Sequence, residues 1–329
     1  MQEIVIAGCG FMGRMHANVY TALPNARLVG CVDRRPEKAD KFAADFGTTT
    51  FPSIEAALEQ TNGTVLDVCL PTDLHCEATL TGARYGRHVI CEKPMALTLE
   101  DADRMISACD EAGVNLMIGH CIRYWPQYAR LKEIVDSGEL GRLQVINLTR
   151  YGEFPSWATD NWQADECRAG GGALDMRIHD TDFILYLLGE PDEMVSFGQV
   201  DDRGVGYSAT TMKFGSTVAH LEGGWSWPPK TPFKMSFRAM FERGAVIMED
   251  GPMTVYPAEG EPFAPEFPVM AASGGGNISD LGGYFVELKD FLDCLDAGRK
   301  PVVVTPASSR QSLATTLEEI RQIKARHGA

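Results

Sequence analysis

The sequence predicts an α/β protein in two parts. The N-terminal part is a doubly wound parallel-sheet domain, and the C-terminal part is an α/β domain with an open, mainly antiparallel sheet. Three observations carry this. Short, fully apolar runs alternate with amphipathic stretches as far as Gly119. Beyond it the strand-like stretches alternate apolar with polar residues. A glycine-rich turn, Gly8-x-Gly10-x-x-Gly13, stands where the first apolar run hands over to the first helical stretch.

In the first part the apolar runs are Ile4–Ala7, Leu28–Val32, Val65–Leu70, His88–Cys91 and Asn115–Gly119. Helices are expected between them at Pro36–Phe46, Ile54–Glu59, His75–Tyr85 and Leu99–Ala112. Fully apolar strands separated by helices imply a parallel sheet covered on both faces. The second part opens with a helix over Gln127–Ser137, where Tyr128, Leu131, Ile134 and Val135 recur at helical spacing. Strands follow at Leu143–Arg150, Met194–Val200, Tyr207–Phe214, Thr217–Trp227, Phe233–Phe241 and Gly244–Glu249. Alternation along them fits an antiparallel sheet with one solvated or lined face. Two late helices are expected at Tyr284–Leu295 and Ser308–Ala325, and Met270–Asn277 reads as a small-residue loop. Trp225 and Trp227 are placed on one strand face, as sheet packing or a subunit contact. The expected domains are 1–121 and 122–329.

Composition narrows the function classes. A chain of 329 residues is long enough for about two domains. With 45 acidic and 30 basic residues the net charge is −15, which disfavours nucleic acid and anionic membranes as partners. No apolar run approaches the roughly 20 residues needed to span a bilayer. A core strand starting at Ile4 leaves no room for a signal segment, so the expected location is cytoplasmic. The nine cysteines include no Cys-x-x-Cys pair and read as reduced, buried thiols. No zinc-ligand spacing is present, and no metal is expected.

The glycine turn implies a dinucleotide. Gly8 permits the tight turn, Gly10 lets the backbone approach a pyrophosphate, and Gly13 packs the helix against the sheet. Phe11 and Met12 fall in the same turn. Asp33 ends the second strand 20 residues beyond Gly13, where a carboxylate would bond the ribose diol; the alternative is a turn residue capping the next helix. Asp33 favours NAD over NADP, while Arg34 and Arg35 leave NADP open. Two further strand ends face the same crevice, Leu70-Pro71-Thr72-Asp73-Leu74-His75 and Cys91-Glu92-Lys93-Pro94. His75 is either a ligand-facing or a surface residue of a first helical turn. Lys93 is either a surface lysine or a group reaching cofactor or substrate.

In the second part Gly152–Gly172 is a long connection holding Trp157, Asp160, Asn161, Trp162 and Asp165. Tryptophan faces suit sugar rings and Asn and Asp suit hydroxyls; equally, the tryptophans could pin the loop to the core. After Gly170–Gly172, Asp175, His179 and Asp182 form one stripe on an otherwise apolar helix. Burying three ionisable groups is costly unless they are partnered or used, which points to function.

Gly8-x-Gly10-x-x-Gly13-x-x-His16, Glu92-Lys93-Pro94 and Gly170-Gly171-Gly172-x-x-Asp175-x-x-x-His179-x-x-Asp182 resemble, in order and spacing, the signatures of the Gfo/Idh/MocA oxidoreductases. The resemblance implies an N-terminal Rossmann domain and a C-terminal sheet that joins subunits into homodimers or homotetramers. It also implies NAD(P)-dependent hydride transfer between nicotinamide and a secondary alcohol of a sugar or cyclitol. Lys93, Asp175 and His179 match the family's catalytic set, and Arg123 matches an arginine facing the site. The cofactor set is then Gly8, Gly10, Phe11, Met12, Gly13, Asp33, Arg34, Leu70, Thr72, His75, Glu92 and Lys93. The substrate set is Lys93, Arg123, Trp162, Asp175 and His179. Pro71-Thr72-Asp73 departs from the family's usual Thr-Pro-Asn, and Pro306–Arg310 from a common Asp-Gly turn. The expected roles are His179 as general base, Lys93 as donor to the reacting oxygen, and Asp175 as the group binding a neighbouring hydroxyl and holding Lys93 or His179 in place. The alternatives are a glycosidase working by transient C3 oxidation and a non-catalytic NAD-bound regulator.

Overall fold

The computed structural model describes residues 1–156, 159–267 and 282–328. Trp157 and the Met270–Asn277 loop lie outside them. The chain divides into two compact units, Met1–Trp125 with Val269–Arg310, and Pro126–Pro268 with Gln311–Ala329. The sequence-based expectation places one boundary, at 121/122. The return of the chain into the first unit is not part of that expectation. No helix among the described residues is long and apolar enough to cross a membrane.

The first unit runs β1 (Gln2–Ala7), α1 (Phe11–Ala22), β2 (Ala26–Val32), α2 (Pro36–Phe46), β3 (Thr50–Phe51), α3 (Ile54–Gln60), β4 (Val65–Val68), α4 (His75–Arg84), β5 (His88–Glu92), α5 (Leu99–Ala112) and β6 (Leu116–Gly119). The helices start where the sequence supplies caps. Ser53 accepts from the Ala56 amide ahead of α3, and Thr98 accepts from the Asp101 amide ahead of α5. Every strand pairing is parallel, in the order β3-β2-β1-β4-β5-β6. The direction of winding reverses between β1 and β4, so their carboxyl ends open the crevice in which such sheets bind ligands.

The second unit holds α6 (Pro126–Ser137), β7 (Leu143–Glu153), α7 (Glu166–Ala169), α8 (Ile178–Leu188), β8 (Glu193–Asp201), β9 (Gly204–Phe214), β10 (Thr217–Trp227), β11 (Lys234–Phe241), β12 (Gly244–Met248) and β13 (Thr254–Pro257). Its sheet is ordered β13-β12-β11-β7-β10-β9-β8, antiparallel except for the parallel β7–β10 pair. One face is core: Tyr128 of α6 makes edge contacts with Phe183 of α8 and Phe237 of β11. The other face is open, with Val195, Phe197 and Met240 exposed among polar residues.

The helices α9 (Gly282–Asp296) and α10 (Pro306–His327) complete the chain. Leu288, Phe291 and Leu292 of α9 share one apolar core with Met15, Val19 and Tyr20 of α1.

One expectation fails in β10. Trp225 is fully buried against Phe154, whereas Trp227 is 40% exposed and stacks on Tyr151. The two do not share a face, because the register slips between Gly224 and Trp227. Such a bulge breaks the alternation on which the expectation rests. Of the nine cysteines, all free, Cys69 is half-buried and Cys167 exposed; the others are buried as expected.

Candidate active site

The predicted residues fall into two groups, one in each unit. In the nucleotide unit the glycine turn has the form a dinucleotide grip requires. Gly8 has φ +103°, and a Cβ there would lie 2.3 Å from the Cys69 carbonyl oxygen at the end of β4. A Cβ on Gly13 would lie 1.9 Å from the Gly8 oxygen, while one on Gly10 meets no atom within 4 Å. The space over Gly10 is thus open where the helix begins. Gly10 caps α1 without a side-chain bond, and no acidic residue occupies the first turn. An anion is therefore favoured at this helix end. Phe11 is exposed and Met12 half-buried beside it.

Asp33 is held by backbone amides on both of its carboxylate oxygens. Its Oδ2 accepts from the Cys9 amide at 3.0 Å, which ties it to the glycine turn, and its Oδ1 accepts from the Arg35 amide at 2.9 Å. A carboxylate offers about four lone-pair sites, so acceptor capacity remains for a ribose diol. Arg34 next to it is exposed. These residues fit NAD.

The ends of β4 and β5 meet around His75. It is buried, not a surface residue, and its Nδ1 and Nε2 each stand 2.8 Å from a carbonyl oxygen, those of Pro94 and Leu70. Burial lowers its pKa, so at neutral pH the ring carries one hydrogen and donates to one carbonyl at a time. Thr72 is buried in the short turn before it. Glu92 is buried, and its Oε2 accepts from the Lys93 amide at 3.1 Å. The structure therefore gathers Gly8, Leu70, Thr72, His75, Glu92 and Lys93 at neighbouring strand ends. Arg123 follows β6 and is buried; its Nη1 donates to the Val303 carbonyl at 2.7 Å and to Ser308 Oγ at 3.1 Å. That nitrogen anchors the segment leading into α10.

In the second unit Asp175 and His179 lie on one continuous winding. Ala173–Arg177 forms a turn of π-helix that runs into α8. Such turns are rare and recur at functional sites. Gly172 lets this turn press on the sheet, since a Cβ there would stand 2.8 Å from both the Gly206 oxygen and Trp225 Nε1. Gln163, from the long loop, donates to Asp175 Oδ2 at 3.2 Å. Trp162 next to it is half-buried, and Asp160 and Asn161 have positive φ of 56° and 48°.

The ionisable stripe divides on inspection. Asp182 is buried and accepts from Ser312 Oγ of α10 at 2.8 Å, which is a structural bond. The sequence reading missed two ion pairs beside it. Asp180 holds Arg150 of β7 through two bonds, Nε to Oδ2 at 3.1 Å and Nη2 to Oδ1 at 3.0 Å. Arg177, fully buried, pairs with Glu319 of α10, which also accepts from Thr181 at 2.9 Å and Thr210 at 3.1 Å. A buried arginine beside the candidate residues was the available signal, because burial demands a partner.

Comparison with known proteins settles the family. Residues 2–120 match an oxidoreductase family with an NAD-binding Rossmann fold, and residues 128–247 match the GFO/IDH/MocA C-terminal domain. The chain belongs to the Gfo/Idh/MocA oxidoreductases. It is similar to myo-inositol 2-dehydrogenase of Thermotoga maritima, 32% identical over 59% of this chain and 57% of that one. It is also similar to 2,7-anhydro-N-acetylneuraminate hydratase of Escherichia coli, 30% identical over 68% of this chain and 62% of that one. The matched stretches thus span a little over half the length of these relatives. In fold, the Gfo/Idh/MocA chain resembles a levoglucosan dehydrogenase solved with NADH and levoglucosan, with a TM-score of 0.84 at 21% identity over 98% of this chain and 97% of that one.

Proposed function

We propose that this protein is an NAD-dependent dehydrogenase acting on a secondary alcohol of a sugar or cyclitol. The observation that carries the reading is the joint presence of an open glycine turn tied to Asp33 and a π-helical turn presenting Asp175 just ahead of His179. Relatives named as inositol and levoglucosan dehydrogenases support the substrate class.

The bound nicotinamide supplies the hydride acceptor. Asp33 binds the ribose diol, and the first turn of α1 faces the pyrophosphate. His179 removes the hydroxyl proton as general base, the role imidazole side chains fill most often. Lys93 donates to the same oxygen and stabilises the negative charge that develops there. Asp175 binds a neighbouring hydroxyl, held in place by Gln163. Trp162 and Arg123 complete the substrate side. The exposed Val195, Phe197 and Met240 support the open sheet face as the surface joining copies of the chain.

The test is NAD reduction by the full chain against inositols, hexoses and anhydrosugars. The parent is expected to turn over at least one, and His179→Ala to lose about 10²–10⁴-fold in kcat. Turnover of that compound by His179→Ala at the parental rate would remove the assigned role.

A further inference from the structure

Beneath the strand ends of the nucleotide unit lies a closed set of ionisable side chains that the proposed reaction does not use. His16 of α1 is fully buried; its Nδ1 is 2.8 Å from Asp67 Oδ2, and its Nε2 is 3.1 Å from Glu92 Oε1. Ionised carboxylates only accept, so both bonds form together only when both ring nitrogens carry hydrogen. Burial opposes the resulting charge, but Asp67 and Cys69 beside the ring outweigh it and hold the pKa well above 6.5. The groups facing His16 are Tyr20 on its own helix, Asp67 and Cys69 at β4, Glu92 on β5 and Tyr284 of α9, and the buried Glu287 of α9 acts on Tyr20 and Tyr284. Tyr20 donates to the same Asp67 oxygen at 2.9 Å. Glu92 uses its second oxygen to accept from the Lys93 amide at 3.1 Å. A line of hydrogen bonds therefore runs from the helix that starts at the glycine turn to the backbone of Lys93.

We propose that His16 is a positioning residue for Lys93: by bonding Asp67 and Glu92 at once it fixes the Glu92 carboxylate, which in turn fixes the Lys93–Pro94 turn. The kinetic consequence rests on the dehydrogenase reading above, whereas the structural consequence does not. Loss of both ring donors frees Glu92 to rotate, and the Lys93 ammonium then leaves the place from which it meets the reacting oxygen. Misplacement of this kind lowers kcat more than it weakens binding.

The test uses the full chain with His16→Gln, which keeps one donor, His16→Leu, which keeps none, and Glu92→Gln. Acetylation of Lys93 by acetic anhydride is followed by peptide mass mapping, with the exposed Lys213 as internal reference. The Lys93:Lys213 rate ratio is expected to rise about threefold or more in His16→Leu and Glu92→Gln, and by less in His16→Gln. With the polyol the parent oxidises, kcat is expected to fall about tenfold or more in His16→Leu, with KM and NAD affinity held and partial recovery in His16→Gln. A merely structural role would lower the folded fraction without separating kcat from KM. If His16→Leu does not fold, the near-isosteric His16→Gln and Glu92→Gln decide. An unchanged labelling ratio in the folded variants, or parental kcat in them, overturns the proposal. A parent that oxidises no polyol overturns the dehydrogenase reading alone, and the labelling ratio still decides the role of His16.

Discussion

One added methyl group at Gly8 shows how tightly the nucleotide turn is drawn. The carbon would sit 2.3 Å from a backbone oxygen, at φ +103°. Positive-φ strain alone is worth on the order of 1–3 kcal/mol. Gly8→Ala is therefore expected to lower the melting temperature and to abolish the further rise that NAD gives the parent, read by thermal denaturation with and without cofactor. His16 sets a pH dependence. Its folded pKa lies well above 6.5, so its charge stabilises the fold fully below the unfolded value of about 6.5, and that contribution is lost as pH rises through the folded value. Denaturant titrations should show the stability gap between parent and His16→Gln widest below neutrality and closing on the alkaline side. As candidates, Gly8, Asp33, Lys93, Asp175 and His179 were legible because each stands at a fixed offset within one short stretch. The His16 network was not, since its partners lie 51 and 76 residues away. Asp67 inside an apolar strand was the one visible hint that something buried had to meet it.

Among the elements, α10 governs the helix that bears His179. Glu319 is fully buried and meets Arg177, Thr181 and Thr210 at once, while Ser312 holds Asp182. Removing one member of a buried ion pair leaves the other charge uncompensated, at about 3–5 kcal/mol. Glu319→Gln is expected to lose stability on that scale in urea unfolding. Its kcat should also fall, because α8 loses its brace. The strands and helices themselves were readable: α2, α5 and β10 begin and end where the apolar pattern places them. The failures have local causes. The slip after Gly224 defeats simple alternation at Trp227, and β13 is a four-residue edge strand ending in proline, too short to show a period. The π-helical turn at Asp175 leaves no mark in the sequence, because Ala173–Arg177 carries the same apolar spacing that an α-helix would.

At the scale of the whole molecule, the open face of the second sheet offers Phe197 at 58% and Met240 at 48% exposure. On the proposed reading this face joins copies of the chain. Phe197→Glu is expected to shift the sedimentation coefficient to that of a smaller species while leaving the far-UV circular dichroism unchanged. The two-part organisation was legible from the change of pattern near Gly119. The second visit of the chain to the first unit was not, because α9 carries the same amphipathic signature whichever core it joins. That return has a practical edge. The apolar core beside α1 is closed by Leu288, Phe291 and Leu292, which arrive from more than 250 positions downstream. A fragment cut after Trp125 would lack that cover and is expected to precipitate on expression. Nature or an engineer wishing to graft this nucleotide module onto a different partner must therefore move two splice points in concert.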